Sequence, residues 1–186
     1  GEVLHNPHYN NPLSEGDLLL LDGGAERASG YGCDVTRTRP VTGQFGPRQR
    51  SAYEAVLAAQ EASIALCSPG TRYRQVHLAS ATVLAEWMAE EKILRCSPEE
   101  AVATGAHALF FPHGVGHLLG LDVHDLEQFG DRAAYPRSRT RSSQFGLSYL
   151  RLDLDLQAGH LVTIEPGFYA VPAILLDPEL VRKHRK

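Results

Sequence analysis

Residues 113 to 125 read HGVGHLLGLDVHD. Three histidines, His113, His117 and His124, and two aspartates lie in an otherwise apolar, glycine-rich stretch. A packed core has no use for so many titratable groups, whereas a metal site or an acid–base site does. Three other segments set acids among apolar neighbours. Asp22 ends the run DLLLLD, Asp34 opens CDVTRTRPV, and Glu165 sits within VTIEPG. Each alone has an ordinary explanation: an Asp before Gly-Gly is a common turn residue, Asp34 can pair with Arg37 or Arg39, Glu165 can belong to a turn, and a lone histidine is more often a hydrogen-bonded core residue. Together they would need four separate explanations. Carboxylates buried close to one another are costly unless a cation neutralises them. An oxygen-rich donor set with one imidazole suits a hard divalent ion such as Mn2+, with Co2+, Zn2+ or Fe2+ as other occupants.

These residues need elements to hold them. DLLLLD, residues 17 to 22, follows the turn signal SEG and predicts a buried strand. CDVTRTRPV, residues 33 to 41, alternates and is rich in β-branched residues, which predicts a second strand. A Gly-rich hairpin joins the two, so their carboxylates can converge. GPRQRSAYEAVLAAQEASIALCSPG then predicts a helix with Tyr53, Val56, Leu57, Ala59 (or Gln60), Ile64 and Leu66 at helical spacing, stopped by Pro69-Gly70. Residues 73 to 94 predict a second helix. Ser97-Pro98-Glu99-Glu100 carries a cap signature for a third. Residues 130 to 146 form a loop rich in Gly, Pro and Arg, and HLVTIEPGFYA predicts a strand. The result is an α+β layer arrangement with its chemistry on the sheet.

Composition narrows the setting. The 186 residues suffice for one domain with a full core. With 43% hydrophobic and 22% charged residues the chain has ordinary globular composition. A net charge of -4 advertises no nucleic-acid surface. Arg137, Arg139 and Arg141 are expected to be a solvated loop cluster. No apolar run approaches the length of a membrane span. Cys33, Cys67 and Cys96 are odd in number and widely spaced, which favours reduced thiols and a cytoplasmic setting.

DGGAE, CDVTRTRPV, HGVGHLLGLDVHD and TIEPGFY, in this order, resemble the motifs of the proline-specific metallopeptidases, prolidase and aminopeptidase P. The resemblance covers nearly the whole chain. It implies the pita-bread fold, a curved and mostly antiparallel sheet covered by helices, which methionine aminopeptidase and creatinase share. The first histidine of HGVGH favours the proline-specific branch. The resemblance also implies two divalent metal ions, Mn2+ foremost, with Co2+ or Zn2+ as alternatives. Asp34 would bridge the ions, Asp22 would bind the second, and His117 and Glu165 would bind the first. His124 would contact the substrate carbonyl and the tetrahedral intermediate, and His113 would line the proline side of the pocket. His5, 17 residues before Asp22, matches an active-site histidine, whereas His8 matches none and reads as a surface residue. The partners implied are a proline-containing dipeptide or short peptide and a second copy of the chain in a homodimer.

Some features depart from the family pattern. The interval from Asp22 to Asp34 is 12 residues, one more than these enzymes most often have. The extra residue is expected to lengthen the hairpin ERASGYG. The family's fifth ligand, a bridging Glu in a G-[IV]-R-I-E-[DE] stretch, has no counterpart, and Glu179 stands in the wrong context. Residues 1–186 are therefore expected to be an incomplete catalytic domain, without the family's N-terminal domain and final strand, and to be weakly active or inactive alone. A long insert separates VHD from TIEPG, as in prolidases, and Arg151 stands 14 residues before Glu165, where prolidases keep an arginine for the substrate carboxylate. Arg151 could otherwise pair with Asp153 or Asp155. The expected activity is cleavage of Xaa-Pro dipeptides. The alternatives are an aminopeptidase P acting on longer peptides and a non-catalytic pita-bread module that binds peptides or proteins.

Overall fold

The computed structural model describes residues 8–183, so His5 lies outside the described residues. Strands β1 (Leu18–Glu26) and β2 (Gly32–Pro40) form an antiparallel hairpin in which Asp22 faces Thr36 and Gly24 faces Asp34. Side chains alternate across a strand, so Asp22, Asp34 and Thr36 share one face. The longer hairpin thus keeps both carboxylates on the same side, but β1 is not the buried strand expected of DLLLLD: Leu18, Leu20 and Leu21 are exposed. Gly24, opposite Asp34, is demanded by crowding: a Cβ there would stand 2.1 Å from the Cys33 carbonyl oxygen.

Helices α1 (Pro47–Leu66) and α2 (Tyr73–Glu90) pack against each other. The face of α1 that is buried differs from the expected one. Ala55, Ala59 and Ser63 are buried, while Tyr53, Leu57, Ile64 and Leu66 remain exposed. Small side chains at i, i+4 and i+8 let α2 approach closely, and hydroxyls seal the contact. Ser63 Oγ donates to the Val76 carbonyl at 2.7 Å, and Ser80 Oγ donates to the Ala59 carbonyl at 3.0 Å. Helix α2 is buried along Tyr73, Val76, His77, Ser80, Ala81, Leu84, Ala85 and Met88, the spacing of an amphipathic helix. It stops at Glu90 rather than 94, because Lys92 turns into the left-handed region (φ 58°) and the Ile93 and Leu94 amides fold back onto the Met88 carbonyl. Helix α3 (Pro98–Thr104) starts as its cap signature predicts, with the Glu100 amide donating to Ser97 Oγ at 3.2 Å.

The core joins α1 and α2 to Phe111, Val115, Leu150, Leu152 and Leu156. One buried polar group stands out within it. His77 is fully buried, and among the described residues neither ring nitrogen has a hydrogen-bond partner.

The strand expected over HLVTIEPGFYA is extended and paired but never becomes a regular strand. Leu119 N donates to Leu161 O, Thr163 N to His117 O, and Glu165 N to Val115 O, with an antiparallel bridge at Leu118 and Val162. The ladder breaks at one point for a visible reason. His117 N donates to Thr163 Oγ1 at 3.0 Å, and the Thr163 carbonyl accepts from Tyr73 OH at 2.7 Å instead. Among the described residues, regular sheet is therefore confined to β1 and β2, continued by bridged segments. No described helix is long and apolar enough to cross a membrane. The three cysteines are free.

Candidate metal centre

Three of the sequence-selected residues meet. One ligand atom each from Asp34, His117 and Glu165 lies within 4.8 Å of the others. Asp34 comes from β2, His117 from the HGVGH segment and Glu165 from the segment paired with it. Gly116 makes that pairing possible, since a Cβ there would meet the Thr163 carbonyl oxygen at 2.2 Å and Tyr73 OH at 2.6 Å.

The imidazole of His117 is aimed by its own backbone. Its Nδ1 lies 2.8 Å from the Leu118 carbonyl, which can only accept, so Nδ1 carries a hydrogen. In the neutral ring Nε2 then presents a lone pair, the form in which histidine binds metal. That Nε2 lies 3.2 Å from Asp34 Oδ2 and 3.3 Å from Glu165 Oε1. A lone pair facing two anions is repulsive unless a proton or a metal cation lies between them. Burial opposes charge on His117, but the Glu165 and Leu118 hydrogen bonds and the charges of Glu165 and Asp34 outweigh it and raise its pKa. Burial opposes charge on Glu165 too and so pushes its pKa up, yet hydrogen bonds from His117 and Thr163 and the nearby histidines bring that pKa below the usual range. Thr163 Oγ1 donates to Glu165 Oε1 at 2.6 Å and so fixes that carboxylate. Two carboxylates and one imidazole are a donor set that fits a divalent cation.

Asp22 shares the face of Asp34 but stays outside this group. Its Oδ1 accepts from Thr36 Oγ1 at 2.8 Å. His8 is exposed, as expected.

The other histidines flank the cluster. His124 sits with its ring centroid 4.4 Å from that of His117. Burial first, then the Arg151 and His117 charges, lower its pKa, which favours a neutral ring near pH 7. Its Nδ1 lies 3.2 Å from Arg151 Nη1, which can only donate, so Nδ1 accepts and the ring hydrogen belongs on Nε2. His113 donates from Nδ1 to its neighbouring Gly114 carbonyl at 2.8 Å and accepts at Nε2 from Tyr169 OH at 3.2 Å. Burial lowers the His113 pKa and, with the charges of Glu165 and Asp22, raises that of Tyr169 to about 12.

Arg151 does not take the aspartates considered for it. Asp153 is bound by Arg72 through Nε and Nη2 at 2.7 and 2.5 Å. Asp155 is bound by Arg139, at 2.8 and 2.9 Å. Arg151 Nη1 instead donates to both oxygens of Glu127, at 2.6 and 2.7 Å. The arginine-rich loop is correspondingly less solvated than expected, because Arg141 also pairs with Asp131. Sequence reasoning overlooked Thr163, Tyr169 and Glu127. Thr163 was open to discovery, since it stands two residues before Glu165 and extended chain puts both on one face.

The sequence profile of metallopeptidase family M24 matches residues 1–182. Xaa-Pro aminopeptidase 2 of Streptomyces coelicolor is 40% identical over 177 residues, which cover 95% of this chain and 34% of that protein. The Xaa-Pro aminopeptidase of Escherichia coli is 35% identical over 185 residues, covering 100% of this chain and 36% of its own. Among solved structures, proline aminopeptidase P II from Yersinia pestis matches with a TM-score of 0.76 and 36% identity, over 96% of this chain and 36% of that one. Zn-substituted E. coli aminopeptidase P in complex with product also gives 0.76, at 33% identity, over 98% of this chain and 36% of its own. The chain thus spans about a third of the length of these relatives.

Proposed function

We propose a function from one premise: this chain belongs to metallopeptidase family M24 and has the pita-bread fold of the aminopeptidase P structures. The protein hydrolyses the peptide bond between any residue and proline. The observation that carries this reading is the convergence of Asp34, His117 and Glu165 on one point. These three would hold a first divalent ion, Mn2+ the first choice, and Asp22, once turned away from Thr36, would serve a second. When bound, such ions lower the pKa of a water and polarise the scissile carbonyl. The rest is done by the chain. His124, neutral and with its hydrogen on Nε2, is a donor for the oxygen that gains charge in the tetrahedral intermediate. His113, fixed between Gly114 and Tyr169, lines the side that receives proline. His5 is a further proposed contact. The Xaa-Pro nitrogen has no hydrogen, so shape rather than an N–H contact must select it.

Dipeptides are the substrates this reading favours. Their carboxylate lies one residue beyond the scissile bond, and Arg151, which lies beside His124, is the cation we assign to it. A second reading, cleavage of longer Xaa-Pro peptides, draws support from the relatives, which are named Xaa-Pro aminopeptidases. The whole enzyme is proposed to act as a cytoplasmic homodimer. Comparing kcat/KM for Xaa-Pro dipeptides and Xaa-Pro tripeptides tests the preference. Dipeptides cleaved at least about tenfold better, a difference of roughly 1.4 kcal/mol, support the first reading. Tripeptides cleaved faster assign the protein to the aminopeptidase P group.

A further inference from the structure

We infer that Glu127 is a positioning residue. It clamps Arg151 by one nitrogen and leaves the opposite edge of the guanidinium open for the carboxylate of a bound proline. The identity of that anion rests on the dipeptide reading above; the clamp itself does not.

The geometry is specific. Both Glu127 oxygens converge on Arg151 Nη1, at 2.6 and 2.7 Å. The same Nη1 lies 3.2 Å from His124 Nδ1, and Glu127 Oε2 lies 3.4 Å from that ring nitrogen. Glu127, Arg151 and His124 therefore form one unit, which touches the metal donors through the His117–His124 ring contact. A guanidinium has five N–H groups. Among the described residues, those on Nε and Nη2 of Arg151 carry no hydrogen bond. The Nε–Nη2 edge is the pair that grips a carboxylate with two parallel bonds, as Arg72 grips Asp153 elsewhere in this chain. The neighbouring aspartates cannot fill that edge, because Asp153 and Asp155 are already taken. The Arg151 side chain is 40% exposed, so a ligand can reach it. The small depression beside it, about 10 Å³, is lined by His117, Glu127, Ala133 and Ala134. Leu126, just before Glu127, sits at φ 64°, a conformation costly for a residue with a Cβ. Glu127 holds the end nitrogen and not the open edge, so it orients Arg151 without competing for the ligand.

Two measurements on the purified chain test this, and neither is turnover. The first is the 15N–1H spectrum of the Arg151 guanidinium. Separate Nη1 and Nη2 hydrogens are expected in the wild type and merged ones in Glu127→Ala, with Glu127→Gln intermediate because it keeps one acceptor. Merged signals in the wild type, or no change on Glu127→Ala, overturn the clamp. The second is the affinity for L-proline against L-prolinamide. The wild type should favour proline about tenfold, the size of one charge-assisted hydrogen bond. Glu127→Ala should lose most of that preference. In an Arg151→Ala background the same change should have no further effect. Tighter proline binding by Glu127→Ala would make Glu127 a competitor and overturn the inference. A wild type that ignores the carboxylate sinks the dipeptide reading, while the guanidinium spectrum still decides the role of Glu127.

Discussion

His117 is where proton, carboxylates and metal meet, and its pH behaviour follows from that. Its pKa is raised in the metal-free chain, so a proton competes with any cation for Nε2. Mn2+ affinity is expected to climb up to about tenfold per pH unit below that raised value and to level off above it. A metal titration at several pH values checks this. Stability should move the other way. The protonated His117 stabilises the fold fully below the ordinary histidine pKa, and that contribution disappears as pH rises through the raised value. Glu165 contributes above the ordinary carboxylate range and loses its contribution as pH falls through its lowered value. Melting curves of metal-free protein should therefore show Tm falling as pH climbs past the His117 pKa, and Mn2+ restoring it. His117→Ala should lower metal affinity. His124→Ala should keep the metal and lose about 10²-fold or more in turnover, the scale of one lost oxyanion donor. Equal metal loss in both variants would make His124 a ligand. Asp34, His117 and Glu165 were legible in the sequence because each is an ionisable group without an apolar excuse. Glu127 was not, because a glutamate in a polar loop looks solvated until its Arg151 partner, 24 residues away, is seen beside it.

Elements were legible where local chemistry decides them, and less so where neighbours do. The hairpin strands, the start of α3 and the stop after α1 are set by turn residues, a cap and Pro69-Gly70. Removing that cap with Ser97→Ala is expected to cost about 1 kcal/mol in a denaturant melt. The buried face of α1 was misread because hydrophobicity pointed to Leu57 and Ile64, whereas close approach of α2 selects Ala55, Ala59 and Ser63. The strand around Glu165 was over-read because the Thr163 hydroxyl takes the ladder's hydrogen bond. On α2, His77 offers a test of core polarity. Burial, with the His107, His113 and Arg74 charges adding to it, holds its pKa down to about 3. The unfolded chain binds this proton near pH 6.5, so stability is expected to fall as pH drops from there toward 3. His77→Leu, which fills similar space without a buried polar group, should flatten that acid limb. Its difference from the wild type, on the order of a few kcal/mol at the acid end, is measurable by chemical denaturation at fixed pH. Identical pH slopes for the two proteins would exclude His77 as the source.

At the scale of the molecule, the fold matches its relatives over nearly the whole chain while spanning about a third of their length. Two features concern what these residues can do by themselves. Leu18, Leu20, Leu21 and Val35 of the hairpin, with Leu57 and Ile64 of α1, are exposed apolar side chains. Among the described residues, the donor group holds three ligands rather than the five the family pattern calls for. Three donors make one site, and an ion needs four to six ligands, so water must complete the shell and affinity must suffer. The described donors are therefore expected to take up close to one Mn2+, weakly. Equilibrium dialysis with elemental analysis measures the stoichiometry. Thr36 gives the result a handle. Its hydroxyl donates to Asp22 Oδ1 on the face shared with Asp34, so it occupies an oxygen that a second ion would need. Thr36→Val removes that donor at nearly constant volume and should strengthen uptake of the second ion relative to the first. Two tightly bound ions in the unaltered chain would show that Asp22 leaves Thr36 unaided and that a fifth ligand is dispensable. One ion in both proteins, with no change in affinity, would mean that the distance from Asp22 to the cluster, and not its hydrogen bond, limits the site.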